Sequence, residues 1–265
     1  MAWTELETDF FDLARPRVIA HRGASGDFPE NTIVAFRAAA EAGAPYFELD
    51  VHMTRDGTIV VSHDATLERT CGYSGRIGEI VLADLKRLDA GWGFARAGDS
   101  RFPFRGRGIE VPTLAEVFAA FPDRCYVVEI KQSAPSLVPE LLEVIRRFGM
   151  NRRVLIASEE QAPIDEIRAL APAMPTGFTY REIADFMMSL APGAETYQPR
   201  GNALQIPPEF EAWRLVSLES VAAAHRAGVE VHVWTVNDPV EMRALLDLGV
   251  DGIITDYAGR LQALI

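Results

Sequence analysis

YFELDVHMTRDGTIVVSHD, residues 46–64, decides how the rest of the chain is read. Tyr46 to His52 has the apolar-rich character of a strand, and alternate residues of a strand point to the same side. Glu48 and Asp50 therefore face one spot together. Asp56-Gly57 makes a turn, and Thr58-Ile-Val-Val returns to Ser62-His63-Asp64. Two carboxylates and an imidazole are thus brought together by one hairpin, and the remainder of the chain is searched for what would complete them.

Working outward, the same pattern recurs. Arg17 to His21 is a short apolar run ending in polar residues and Gly23. Cys125 to Lys131 is another, with Glu129 and Lys131 two apart on one side. Further strands are expected near residues 154, 177, 204, 231 and 253. Helices are expected at Asn31–Gly43 with Asn31 as cap, from the capping box Thr113-Leu-Ala-Glu116, at Val138–Phe148, around Pro163–Leu170, at Arg181–Leu190, at Ser217–Ala227, after Asp238-Pro239, and at Ala258–Ile265. A weak repeat of helix end, Gly and strand appears at Gly43, Gly228 and Gly249. Eight strand-then-helix units favour an α/β TIM (β/α)8 barrel over an open doubly wound sheet, and HRGASG after the first strand lacks the Gly spacing of a dinucleotide loop. Residues 65–110, rich in Gly and Arg with a short helical piece near Leu82–Leu88, read as a small insertion after the second strand and its hairpin. The expectation is a single domain over 1–265.

The 265 residues are 48% hydrophobic and 24% charged, enough for a full core. A net charge of −12 without a basic stripe argues against nucleic acid as a partner. Cys71 and Cys125 do not suggest a disulfide framework. The acidic N-terminal stretch lacks a signal-peptide core, and no apolar run is long enough to span a membrane. A cytoplasmic protein without stable membrane insertion is expected.

In a TIM barrel the C-terminal strand ends share one rim, where active sites sit. His21 and Arg22, Glu48 and Asp50, Glu129 and Lys131, Trp234 and Asp256 all fall at such ends. Converging carboxylates recruit a cation or shift their protonation, and an all-oxygen set favours Mg²⁺ or Ca²⁺ over zinc. Arg22 and Lys131 suit an anion such as phosphate. His21 and His63 suit the acid and base of phosphodiester cleavage.

At these residues the chain resembles the glycerophosphodiester phosphodiesterases. The matching pieces are AHRG (20–23), PENT (29–32), FELDV and TRDG (47–57), VVSHDATLERT (60–70), LDAG (88–91), VPTLAEV (111–117), VEIK (128–131), VHVWTVN (231–237) and GVDGIITD (249–256). The resemblance implies the barrel with its insertion, His21 and His63 as acid/base residues, and Glu48, Asp50 and Glu129 as ligands of one divalent ion. It implies Arg22 and Lys131 near the phosphate, Trp234 on the pocket wall, and Glu30 and Asn31 ordering the site. The implied reaction releases sn-glycerol 3-phosphate and an alcohol, within lipid and glycerol metabolism. The family often shows Ser-Ser-Phe where this chain has Ala157-Ser158-Glu159, and Asp-x-Pro where it has Asp256-Tyr257-Ala258; both departures bear on substrate choice.

Blander roles are expected elsewhere: His52 structural, His225 surface or packing, and Trp92, Trp213 and the Arg-rich run 101–107 subdomain packing or solvated charge. His232 shares a side with Trp234 and is a candidate to touch a ligand. Arg69 and Arg105 are left out of the site. The alternatives are a lysophospholipase-D-like or other phosphodiesterase, which would want an apolar rim that no stretch makes evident, and a non-catalytic ligand-binding barrel. Water or the neighbouring glycerol hydroxyl could be the nucleophile. Headgroup, ion identity and oligomeric state stay open.

Overall fold

The computed structural model describes residues 8–96, 98–194 and 197–265; the acidic N-terminal stretch read from the sequence lies partly outside them, in residues 1–7. Seven parallel strands form a curved sheet. In spatial order these are β5 (Val154–Ala157), β4 (Cys125–Ile130), β2 (Tyr46–Met53), β1 (Arg17–His21), β10 (Gly252–Thr255), β9 (Glu230–Val233) and β6 (Ala203–Ile206). The eighth stave is reduced to two residues: Thr176 bridges Ile156 of β5 and Gly177 bridges Ala203 of β6, both in parallel. Four backbone hydrogen bonds hold this seam, Gly177 N–H to Ile156 O, Ile156 N–H to Pro175 O, Asn202 N–H to Thr176 O and Phe178 N–H to Ala203 O. The ring is a closed α/β barrel. The expected strand at Thr176–Tyr180 is this short because Pro175 offers no donor and Thr179 already caps the next helix.

Helices alternate with the staves as the apolar periodicity predicts: α1 (Ile33–Glu41) after β1, α4 (Leu114–Ala120) before β4, and α5 (Val138–Arg147), α6 (Gln161–Leu170), α7 (Tyr180–Met188), α8 (Leu218–Arg226), α9 (Pro239–Asp247) and α10 (Ala258–Gln262) thereafter. The Thr113/Glu116 capping box and the Asp238 cap form as read. One cap does not. Thr32, not Asn31, accepts the amide of Ala35 and starts α1. Asn31 sits at φ 57° with its side chain drawn away to Asp50.

The second strand returns through β3 (Ile59–Val61), antiparallel to β2. On β3 rests the segment 65–110, which adds no stave. Its short helices α2 (Glu68–Cys71) and α3 (Leu82–Leu85) and a single 3₁₀ turn bury Leu67, Cys71, Ile77, Leu85, Ala90 and Val111 against Val60. After β6 a two-residue hairpin, β7 (Glu209–Phe210) and β8 (Trp213–Arg214), leaves Phe210 and Trp213 exposed. Trp213 therefore does not pack as expected; strands of two residues have no second face to bury it.

Alternation within the staves sorts the interior into levels. Outward residues such as Phe47, Leu49, Val51, Tyr126, Val128, Val231 and Val233 join the helices in one large core. Inward, the floor is polar and closed. Arg17, fully buried, donates to both oxygens of Glu230 at 2.7 Å, to the Tyr46 hydroxyl and to the Phe11 and Leu13 carbonyls. His232, also fully buried, meets Glu230 at 3.1 Å. It touches this floor rather than any ligand, because it lies one level below Trp234. Above the floor come Ile19, Val127, Leu155 and Ile254, and above these the polar rim. Among the described residues no helix is long and apolar enough to cross a membrane.

Burial opposes charge on Glu230, but hydrogen bonds from Arg17 and His232 prevail and hold its carboxyl at about 2, below the ordinary 4.5. The unfolded chain thus takes up this proton first as acid is added. The stabilisation is complete above about pH 4.5 and is lost as the pH falls toward 2. Arg17→Met leaves Glu230 with only the more distant Arg15, whose Nε lies 3.4 Å away, as a cation and is expected to cost about 3 kcal/mol at pH 7. Urea unfolding midpoints of both proteins between pH 7 and pH 3 check this: the wild type starts higher and falls toward the variant in acid.

Candidate active site

The polar rim lines a cavity of about 160 Å³ whose walls include His21, Arg22, Glu48, His63, Glu129, Lys131 and Trp234. Register explains the convergence. Glu48 lies beside His21 of β1, and Asp50 beside Glu129 of β4. Carboxylate oxygens of Glu48, Asp50 and Glu129 all come within 4.8 Å of one another. Asp50 is 1% exposed, behind the cavity wall.

This crowding has an electrostatic cost. Burial, then the charges of Asp50 and Glu129, push the Glu48 carboxyl well above the usual range. Burial raises Glu129 as well, against the attraction of Lys131. The cations respond. Lys131 Nζ lies 2.5 Å from Glu129 and 3.5 Å from Asp50. Arg22 Nε is 3.2 Å from Asp50. Despite this, Asp50 Oδ1 is buried and accepts no hydrogen bond. Three converging carboxylates, an unmatched acceptor and an oxygen-only donor set fit a hard divalent cation.

Arg22 and Asn31 reach Asp50 through unusual backbone. Both occupy the left-handed region, at φ 54° and 57°, which costs a side-chain-bearing residue about 1 kcal/mol or more. Their peptides lock together, Asn31 N–H to Arg22 O at 2.9 Å, and the Arg22 amide donates to both the backbone and the side chain of Glu48. Asn31 Nδ2 then donates to Asp50 at 2.8 Å. Gly23 follows at φ 84°, where a Cβ would meet Ala35 backbone at 2.6 Å; only glycine lets this loop lie on α1.

Each imidazole is backed by a carboxylate. His21 Nδ1 lies 2.7 Å from Asp256, which also accepts from Ser25 and Asn237. His63 Nδ1 lies 2.7 Å from Asp64. Burial opposes charge on both acids, yet their hydrogen bonds hold each at about 2, so each ring donates its Nδ1–H to an ionised partner. His21 Nε2 is left 4.0 Å from Glu48. His52 accepts no such role; its Nε2 meets the His63 carbonyl at 3.1 Å.

Glu30 lies behind the cavity. It accepts from Arg22 at 3.0 Å and from Arg69 at 2.6 and 2.8 Å, while Arg69 also donates to Asp64 at 2.7 Å. A chain of alternating charge thus runs Arg22–Glu30–Arg69–Asp64–His63 and ties the first loop to the hairpin. Sequence reading left Arg69 out because nothing local marks a partnership spanning 39 residues. It put Asp256 at the rim without a role, for want of a way to see that it faces His21. Gln205 was also missed: it lines the cavity, and its amide nitrogen is buried without an acceptor. Its inward position on β6 was the available signal.

Comparison with known proteins gives this geometry a lineage. Residues 21–260 match the model of the "Glycerophosphoryl diester phosphodiesterase family". A glycerophosphodiester phosphodiesterase of Caldanaerobacter subterraneus subsp. tengcongensis is 34% identical over 244 residues, 90% of this chain and 93% of that one. The crystal structure of a protein from Silicibacter pomeroyi, described as a putative glycerophosphoryl diester phosphodiesterase, superposes with a TM-score of 0.76 at 30% identity, covering 94% of this chain and 92% of the other. An Oleispira antarctica phosphodiesterase, solved with the product sn-glycerol-3-phosphate, gives 0.76 at 26% identity, covering 94% and 96%. With the family match running almost from end to end, the chain belongs to the glycerophosphoryl diester phosphodiesterase family.

Proposed function

We propose that this enzyme hydrolyses glycerophosphodiesters to sn-glycerol 3-phosphate and an alcohol. The observation that carries the reading is one cavity pairing a three-carboxylate cluster with two imidazoles, each held by its own acid. The activity named for the Caldanaerobacter relative and the product bound by the Oleispira enzyme support it.

Glu48, Asp50 and Glu129 would hold one divalent cation, Mg²⁺ or Ca²⁺, which when bound polarises a phosphoryl oxygen and offsets the added negative charge of the transition state. Arg22 and Lys131 are the cations of the cavity wall, suited to the non-bridging phosphate oxygens. Trp234 offers an apolar surface to the glycerol carbons. Glu30 and Asn31 order the loop that carries Arg22.

With Nδ1–H engaged, a neutral imidazole presents a bare Nε2, and a protonated one presents an Nε2–H. One of His21 and His63 takes a proton from the attacking water as its oxygen bonds to phosphorus. The other gives a proton to the alkoxide as the phosphorus–oxygen bond to the alcohol breaks. Asp256 and Asp64 stabilise the imidazolium in each case and keep the rings in the useful tautomer.

A lysophospholipase D reading is favoured by one observation, the exposed Phe210 and Trp213 on a hairpin leaving the same rim after β6. Hydrolysis of lysophosphatidylcholine that drops severalfold in Trp213→Ala, with glycerophosphocholine turnover kept, would favour it.

His21→Ala and His63→Ala are each expected to lower kcat by about 10²–10⁴, as for loss of a general acid or base, and a chelator should abolish glycerol 3-phosphate release until Mg²⁺ or Ca²⁺ is restored. A coupled assay on glycerophosphocholine and glycerophosphoethanolamine reads both; activity indifferent to chelator and to His21→Ala overturns the mechanism. Arg69→Ala removes the leading hydrogen bond that lowers Asp64. Its carboxyl should then titrate closer to 3.8 in carbon-detected NMR, and kcat should fall without loss of the folded spectrum.

A further inference from the structure

Of the two imidazoles, His63 has the weaker footing. His21 is the last residue of β1, whereas His63 follows the end of β3, outside any strand or helix, with its side chain 33% exposed. The bond from its ring to Asp64 is a bond to its own neighbour, so it orients the ring without fixing the backbone. Arg69 reaches Asp64 from α2 of the insertion, not from a barrel strand. The Ser62 amide donates to the Asp50 carbonyl at 3.0 Å and is the last backbone tie to β2 before His63.

One side chain adds a further tie. His52 lies on β2, on the same side as Glu48 and Asp50. Its ring is buried, and its Nε2 lies 3.1 Å from the His63 carbonyl oxygen. Among the described residues no other side chain bonds the His63 backbone. A carbonyl oxygen only accepts, so Nε2 carries a proton and donates it. The base of this strut is firm. His52 pairs with Val60 of β3, Val51 beside it pairs with Ile130 of β4, and the Met53 amide donates to the Gln132 side chain at 3.2 Å. His52 is not among the described residues that line the active cavity or form the carboxylate cluster; it lines a separate cavity with Arg76 and Gln132.

We propose that His52 is a positioning residue for His63, its Nε2–H holding the His63 backbone where the imidazole reaches the cavity. This rests on the phosphodiesterase reading above and adds to its machinery a residue that does not itself meet substrate. Without the strut, the His63–Asp64 pair keeps its internal bond but loses its fixed place against β2. Proton transfer by His63 then slows, because a small misplacement of a reacting group is costly. Binding of the phosphate at Arg22 and Lys131 is left alone.

The test uses His52→Leu, which keeps the bulk and removes the donor, and His52→Gln, whose amide restores one. His52→Leu is expected to lower kcat on glycerophosphocholine about tenfold with KM within about twofold, and His52→Gln to recover most of the loss. In a His63→Ala background His52→Leu should cost nothing further, because the residue it positions is gone. A general packing role predicts the same factor in both backgrounds. Wild-type kcat in His52→Leu, an equal loss in His52→Gln, or an undiminished loss on top of His63→Ala overturns the strut while leaving the phosphodiesterase reading standing. Nitrogen NMR of the neutral His52 ring in the wild type needs no variant to fold: the Nε2–H tautomer is expected, and the Nδ1–H tautomer overturns the proposal. Wild-type inertness toward glycerophosphocholine and glycerophosphoethanolamine overturns both the strut's role and the phosphodiesterase reading.

Discussion

Three carboxylates whose oxygens approach within 4.8 Å cannot all stay ionised without help, and most of the rim can be understood as that help. Strand alternation creates the problem, since Glu48, Asp50 and Glu129 take inward positions at one end of adjacent staves. Lys131 and Arg22 reduce it from inside the cavity. An ion held by the same oxygens would relieve it further and would meet the orphaned Asp50 oxygen. The repulsion at this end of the barrel is thus met from inside by two cations and left incomplete at one Asp50 oxygen.

The floor of the barrel handles charge the other way. Arg17 spends its donors on Glu230, Tyr46 and two carbonyls, and the pair is sealed from water. A buried pair of this kind adds little over a well-packed apolar core, whereas losing one partner is costly because it leaves a buried charge poorly compensated. Arg17 and Glu230 belong to β1 and β9, separated by β10, so their contact helps set the curvature of the ring on which the rim depends.

Much of this was legible in the sequence because periodicity reports the side of a strand on which a residue lies. That sufficed to group His21, Glu48, Asp50, Glu129 and Trp234 and to identify the barrel. Periodicity does not report level. His232 and Trp234 share a side, but two residues of rise separate the sealed floor from the cavity wall, and only the closed ring fixes which is which. Nor does a one-dimensional pattern reveal partners joined through space. Asn31 has the chemistry of a helix cap, yet a contact with Asp50 and a left-handed backbone claim it instead. Arg69 reads as one basic residue of a short helix, although it clamps Glu30 to Asp64. Trp213 reads as subdomain packing, and a hairpin too short to have an interior leaves it in solvent.

The eighth stave pairs over only two residues, Thr176 and Gly177, yet it is fastened from several sides. To the four backbone hydrogen bonds are added the Asn202 side chain, which accepts the Thr176 amide at 3.0 Å, and Arg168, whose guanidinium donates twice to the Thr176 hydroxyl. A Cβ at Gly177 would meet the Gln205 amide oxygen at 2.9 Å, so the seam also has no space for a larger residue there. The last stave is thus a keystone: the ring closes on the least possible length of strand, and side-chain clamps replace the ladder that a longer strand would have supplied.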